Sequence, residues 1–300
     1  MVIEISHLTK QFKGKGGFVD ISLCVAEGEV FSFLGKNGAG KSTFVRTLLG
    51  LLHADSGEAR LLGQPIGHVD TRKQVGYLPE LFQYHAWLTG YELLYNHGLL
   101  YKMAPKEIKA RIPTVLKIIG LEGHDQKTIR QYSKGMKQRI GLGCAIISDP
   151  KILFLDEPTS ALDPIGRKQV RDIIIDLKNE GKTIFLNTHL LSEVELISDR
   201  VAMMDRGRIL KTGTMKELLQ APLLLTVGNV REELVNRLTA FDGQLKRTPQ
   251  GFELNIENEE VLPKIAAAII SSGGLLYEMK RKDNALEKLF IDTVGEEDAR

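Results

Sequence analysis

The chain has 300 residues, 43% hydrophobic and 26% charged, with a formal net charge of +2. That length suits one large domain plus a smaller one with ample buried core, and the near-neutral balance argues against a nucleic-acid partner. No run of about 18 or more apolar residues occurs, so a membrane span is not expected, and residues 1–7 lack the basic-then-apolar pattern of a secretory leader.

From the first residue, apolar and polar positions alternate: Ile3 and Ile5, then Val19, Ile21, Leu23 and Val25. That period of two predicts antiparallel strands with one wet face across residues 1–33. From Val30 the pattern changes to short continuous apolar runs at 30–34, 152–155 and 183–186, the mark of parallel strands covered on both faces. Helical stretches lie between them, so an α/β core is expected. Cys24 and Cys144 both sit among apolar residues and are expected as buried free thiols rather than a disulfide or metal pair. A reducing cytoplasm, or the cytoplasmic face of a membrane, fits that state.

Directly after the first buried run comes Gly35-Lys36-Asn37-Gly38-Ala39-Gly40-Lys41-Ser42-Thr43, which leads into a predicted helix at 44–49. Strand, glycine-rich loop and helix in that order match G-x-x-x-x-G-K-[ST], a P-loop. The glycines let successive N–H groups wrap a polyphosphate, and the helix N-terminus adds positive potential. Lys41 can reach the outer phosphates and the Ser42 hydroxyl can ligate Mg²⁺. A nucleoside triphosphate is the expected ligand.

Residues 81–88 follow, dense in aromatics (Phe82, Tyr84 and Trp87) for a loop. Such a run fits either a groove for a short helix of a partner or packing of the neighbouring helices. The helix-rich interval at about 89–147 is far longer than a simple crossover needs, so an inserted helical subdomain is expected. The apolar run at 152–155 then ends in Asp156 and Glu157. Asp156 is placed to hold Mg²⁺ and Glu157 to polarise an attacking water. In a parallel sheet the P-loop, Asp156 and His189 all fall at the carboxyl edge, where α/β folds bind ligands.

Taken together these segments resemble the nucleotide-binding subunit of an ATP-binding cassette (ABC) transporter, over about residues 1–220. Tyr132-Ser133-Lys134-Gly135-Met136-Lys137-Gln138-Arg139 stands where that family has its signature, Ser160-Ala161-Leu162-Asp163 matches the loop after the Walker B carboxylates, His189 matches the switch histidine, and Arg206-Gly207-Arg208-Ile209 the hairpin that follows. The resemblance implies the cofactors ATP and Mg²⁺. It implies adenine stacking on Phe12, phosphate binding by the loop from Gly35 to Thr43, and metal binding by Ser42, Glu80 and Asp156. Glu157, His189 and Glu80 are the implied catalytic group. Ser133 and Gly135 are implied to complete the site of a second copy packed head to tail. Four positions depart from the commonest pattern, the first being Phe12, where the family more often has Tyr. Lys134 and Met136 replace a Gly and a Gln of the signature, as in exporters of the ABC-2 type, and Glu80 stands where a Gln is usual.

From residue 221 a separate unit is expected. Strands at 223–227 and 244–248, an alternating stretch around Phe252, Leu254 and Ile256, and a strand at 275–280 are interleaved with helices at 231–241 and 261–271. That β-α-β-β-α-β order suggests a small ferredoxin-like sandwich, closed by a helix at 285–293 and a disordered tail at 295–300. The resemblance gives this unit a role in dimer or transporter assembly. The whole chain then reads as a peripheral ATPase subunit that forms a nucleotide-sandwich dimer, most simply a homodimer, and drives export by a separate integral-membrane permease. A soluble ABC protein acting on ribosomes or DNA competes with that reading, but a single P-loop, no sustained heptads and no cysteine cluster disfavour it. A P-loop kinase would have no use for residues 132–136.

Overall fold

A computed structural model describes residues 1–13, 16–160, 162–219, 222–256, 259–281, 286, 289–291 and 293. Gly14, Ala161 and Glu257, much of the expected closing helix at 285–293 and the tail at 295–300 lie outside the described residues. The chain divides into a larger unit built on Met1–Met215 and a smaller unit, Lys216–Asp292.

The larger unit begins with β1 (Ile3–Gln11), β2 (Gly17–Val25), β3 (Val30–Gly35) and α1 (Lys41–Leu48). Next come β4 (Ser56–Leu61), β5 (Gln64–Pro65), α2 (Val69–Arg72) and β6 (Val75–Leu78). The helical interval holds α3 (Gly90–Leu100), α4 (Pro105–Ile118) and α5 (Lys134–Ile146). It is followed by β7 (Ile152–Asp156), α6 (Pro164–Asn179), β8 (Thr183–Thr188), α7 (Leu191–Ile197), β9 (Arg200–Asp205) and β10 (Arg208–Thr214). A short α8 (Met215–Leu218) runs across the division.

Two sheets result. One is antiparallel, in the order β2-β1-β4-β5, and the other has the order β10-β9-β3-β8-β7-β6. In the second sheet β9, β3, β8, β7 and β6 run parallel, and only β10 is antiparallel at the edge. Every residue of β3, β7 and β8 is buried, which is why their sequences are apolar but for Ser32, Thr183 and the residues at their carboxyl ends. Helix α1 fills the space between the sheets. Phe44 stacks on Phe33 at 4.8 Å and meets Phe18 edge-on at 5.1 Å, so one aromatic cluster joins β2, β3 and the helix that carries the loop lysine.

Helix starts follow the local chemistry. Thr89 and Glu92 cap α3 reciprocally, Glu92 N donating to Thr89 Oγ1 at 3.1 Å and Thr89 N to Glu92 Oε2 at 2.8 Å. Ser133 caps α5, accepting from Met136 N at 3.2 Å, and Asp163 caps α6 ahead of Pro164. Strands β4 and β6 were not apparent in the sequence. β4 buries only Ala59 and Leu61, and β6 is four residues long with Gly76 inside it. Gly76 is there for space, because a Cβ on it would lie 2.1 Å from Ala145 O in α5. Cys144 is buried and free, but Cys24 is only half-buried, on the partly wet β2, rather than deep among apolar residues as expected.

The smaller unit consists of β11 (Leu223–Gly228), α9 (Glu232–Thr239), β12 (Lys246–Thr248), β13 (Gly251–Leu254), α10 (Leu262–Ser271) and β14 (Leu275–Arg281). Its sheet is antiparallel in the order β12-β13-β11-β14, the ferredoxin-like arrangement. Leu223, Leu225, Val227, Phe252 and Leu254 from one sheet face pack with Leu234, Leu238, Ile265 and Ile269 from the helices.

Candidate active site

Parallel register sets where the polar residues emerge. Leu34 pairs with Thr188, Asp156 with Asn187, and Leu78 with Leu155, so four strands end side by side. β3 delivers the glycine-rich loop, β6 delivers Glu80, β7 ends on Asp156 before Glu157, and β8 ends on Thr188 before His189. A cleft of about 530 Å³ opens there, lined by Phe12, Gly16 and Gly17 of the first hairpin, by Asn37, Gly38, Gly40, Lys41, Ser42 and Thr43, and by Glu80 and Glu157.

The loop conforms to its glycines. Gly38 and Gly40 have φ of 84° and 104°, the left-handed region open to glycine. A Cβ on Gly40 would also lie 2.2 Å from Gly17 O, so the β1–β2 hairpin sits directly on the loop. Gly35 and Ala39 are buried behind the cleft rather than lining it. Ala39 N donates to Lys36 O at 3.2 Å, and Gly207 N donates to Ala39 O at 2.9 Å. Lys41 Nζ donates to Gly35 O at 2.7 Å and Lys36 O at 3.2 Å, and stands 3.9 Å from Glu157 Oε1. Burial lowers the pKa of Lys41, against the opposing pull of Glu157, Asp156 and Glu80.

The carboxylates are held in distinct ways. Asp156 Oδ1 accepts from Ser42 Oγ at 3.4 Å and from Asn187 Nδ2. Burial raises its pKa above the usual carboxylate range, the Ser42 and Asn187 hydrogen bonds oppose this, and the nearby Glu80 and Glu157 charges add to it. Glu157 takes a left-handed backbone, φ 52°, a costly conformation for a side-chain-bearing residue and one that gathers at functional sites. Its N–H donates to Asn187 O at 2.8 Å. Its Oε1 lies 2.8 Å from His189 Nδ1, and Thr188 Oγ1 donates to its Oε2 at 3.4 Å. A buried acceptor gripped at both oxygens is suited to taking a proton from a water in the cleft.

Asn187 and Thr188 are the residues that sequence reasoning passed over. Both are fully buried polar side chains, and their position at the end of an apolar strand was the available signal. Asn187 Oδ1 has no hydrogen-bond partner among the described residues. Ser42 and Asp156 offer hard oxygen donors that suit a divalent cation, but no group of three His, Cys, Asp or Glu side chains forms a complete cage among the described residues. That is the donor set of a cation that keeps waters and phosphate oxygens, as Mg²⁺ does. Ser133 and Gly135 do not line the cleft. Ser133 is exposed, and a Cβ on Gly135 would meet open space, so nothing among the described residues requires a glycine there.

The aromatic run after Glu80 divides. Phe82 and Tyr84 pack against the core beneath the helical subdomain, with Phe82 lying against Gly141. Tyr84 shares a hydrogen bond with Cys144, whose thiol is pushed up to about 12 by burial. Trp87, by contrast, is 71% exposed. A second, largely apolar cavity of about 250 Å³ includes Leu49, Leu51, Val75, Tyr77 and Tyr101 in its walls. No helix among the described residues is long and apolar enough to cross a membrane.

Comparison with known proteins points to one family. Residues 18–160 match the ABC transporter family. An uncharacterised ABC transporter ATP-binding protein of Synechocystis sp. is 47% identical over 201 residues, covering 66% of this chain but only 57% of that longer relative. The Nod factor export ATP-binding protein I of a Rhizobium sp. is 36% identical over 247 residues, 80% of this chain and 81% of its own length. Among solved structures, cbiO1 from Clostridium perfringens, part of the ABC transporter complex cbiONQ, matches with a TM-score of 0.64 and 29% identity, over 72% of this chain and 89% of that one.

Proposed function

The chain belongs to the ABC transporter ATP-binding family, and from that premise we propose that it is the ATPase of an exporter, hydrolysing ATP in a sandwich of two copies at the cytoplasmic face of a membrane. Members of this family bind ATP and work with a transmembrane permease. The observation that carries the proposal is Glu157, buried, bonded at both oxygens and 3.9 Å from the Lys41 ammonium.

In this reading Lys41 and the loop amides hold the phosphates, and Phe12 stacks on adenine. Glu157 takes a proton from water as the water oxygen bonds to the γ-phosphorus. The bond from phosphorus to the β–γ bridging oxygen breaks, giving ADP and inorganic phosphate. His189 orients Glu157 and, with ATP in place, contacts the γ-phosphate. Ser42, Asp156 and Glu80 would hold Mg²⁺, directly or through water, and the ion supplies charge neutralisation of the phosphates. Ser133, at the exposed start of α5, and Gly135, with open space above it, serve the nucleotide of the facing copy.

Glu80→Gln is expected to keep most of the ATPase activity, since an amide oxygen still accepts from a metal-bound water. A loss of about a hundredfold or more in phosphate release, the scale of a missing acid–base group, would contradict a merely coordinating role.

The permease is proposed to dock at the largely exposed Trp87, with Leu51, exposed on the wall of the apolar cavity, as a further contact. Purification of the full chain from detergent extracts should bring down a multi-span membrane protein. Trp87→Glu should bind ATP normally yet lose transport. Recovery of ribosomal or nucleic-acid partners instead, or unchanged transport in the variant, would overturn this assignment.

A further inference from the structure

The hairpin edge of the cleft rests on polar contacts outside the site described so far. Asp55, just before β4, accepts from Gln11 N through Oδ2 and from Lys10 Nζ through Oδ1, both at 2.7 Å, while Asp55 N donates to Thr9 O at 2.8 Å. One residue thereby fixes the three that precede Phe12. These bonds favour its charged form and hold the Asp55 carboxyl below its ordinary pKa. The Lys10 ammonium so held lies 5.6 Å from the centroid of the Phe12 ring, within reach of a cation–π attraction. Phe12 is 45% exposed at the cleft, and its own N–H makes a long 3.4 Å bond to Gly16 O. The orientation of the ring therefore depends heavily on the residues before it.

We propose that Asp55 is a positioning residue for the nucleotide base: by clamping Lys10 and Gln11 it sets the Phe12 ring against the cleft, with the ammonium on one face and the other face left for adenine. A ring covered on one side by a cation and open on the other presents a single stacking surface of defined tilt. The inference rests on Phe12 being the stacking residue, so the experiment separates the two claims.

Binding of ATP and of inorganic tripolyphosphate, both with Mg²⁺, is measured by calorimetry on the full chain for wild type, Phe12→Leu, Asp55→Ala and the double variant. Phe12→Leu and Asp55→Ala should each weaken ATP by about fivefold or more, the lower range of base–aromatic stacking. Tripolyphosphate, which has no base, should bind as to the wild type, and the double variant should bind ATP no more weakly than Phe12→Leu alone. Asp55→Asn, which keeps an acceptor for Gln11 N but loses the charge facing Lys10, should fall between wild type and Asp55→Ala. Equal weakening of both ligands by Asp55→Ala and Asp55→Asn would reduce Asp55 to a general structural role and overturn the proposal. So would a full additive loss in the double variant, or no loss in Asp55→Ala. Unchanged ATP binding by Phe12→Leu would remove the stacking assignment and the proposal with it.

Discussion

Glu157→Gln should bind ATP yet release phosphate at least about a hundredfold more slowly than the wild type, the scale of lost general-base catalysis. The substitution is nearly isosteric, so the left-handed turn at φ 52° and the contacts to His189 and Thr188 need little adjustment. What disappears is basicity, since an amide oxygen does not take a proton from water at neutral pH. With turnover blocked, saturating Mg-ATP should hold two copies together, each contributing Ser133 to the other's nucleotide. Sedimentation and phosphate release on the same preparation test both halves of the claim. Wild-type turnover would remove Glu157 from the chemistry, and a persistent monomer with no related subunit able to pair would remove the sandwich.

Lys41→Ala should lose ATP affinity by at least about a hundredfold, because two charge-assisted bonds to phosphate at about 1.5–3 kcal/mol each disappear together. The effect is compounded by what remains. Lys41 is only 6% exposed and its charge lies among Asp156, Glu157 and Glu80. Without the ammonium, those carboxylates confront a polyanion with only the loop amides and any bound cation to offset them. Calorimetry with ATP, alongside a melting curve to verify folding, reads the result. Affinity within a fewfold of wild type would show that the lysine is not a phosphate ligand.

Much of the fold was legible because burial on both faces writes itself plainly into sequence. β3, β7 and β8 are short, mostly apolar runs, and each leads directly into a segment of the site: the glycine-rich loop, Asp156 with Glu157, and His189. β4 and β6 were hidden for the opposite reason: one is mostly exposed at the antiparallel sheet, and the other is brief and carries a glycine chosen for helix contact. Asn187 and Thr188 were overlooked because their role is to hold Asp156 and Glu157, and such support has no motif of its own. The aromatics after Glu80 share no period, so composition alone did not separate the inward Phe82 and Tyr84 from the outward Trp87. Ser133 was readable as a helix cap, but the nucleotide proposed for it belongs to another molecule.

The missing side chain at Gly76 has a mechanical meaning. Where two backbones touch, there is no rotamer to yield between them, and a push on one is felt by the other without loss. α5 and β6 meet in this way at Ala145 and Gly76; one carries Ser133 at its tip and the other leads to Glu80. A tilt of α5 would thus reach the Glu80 loop as displacement rather than as compression, like a stiff rod bearing on a hinge plate.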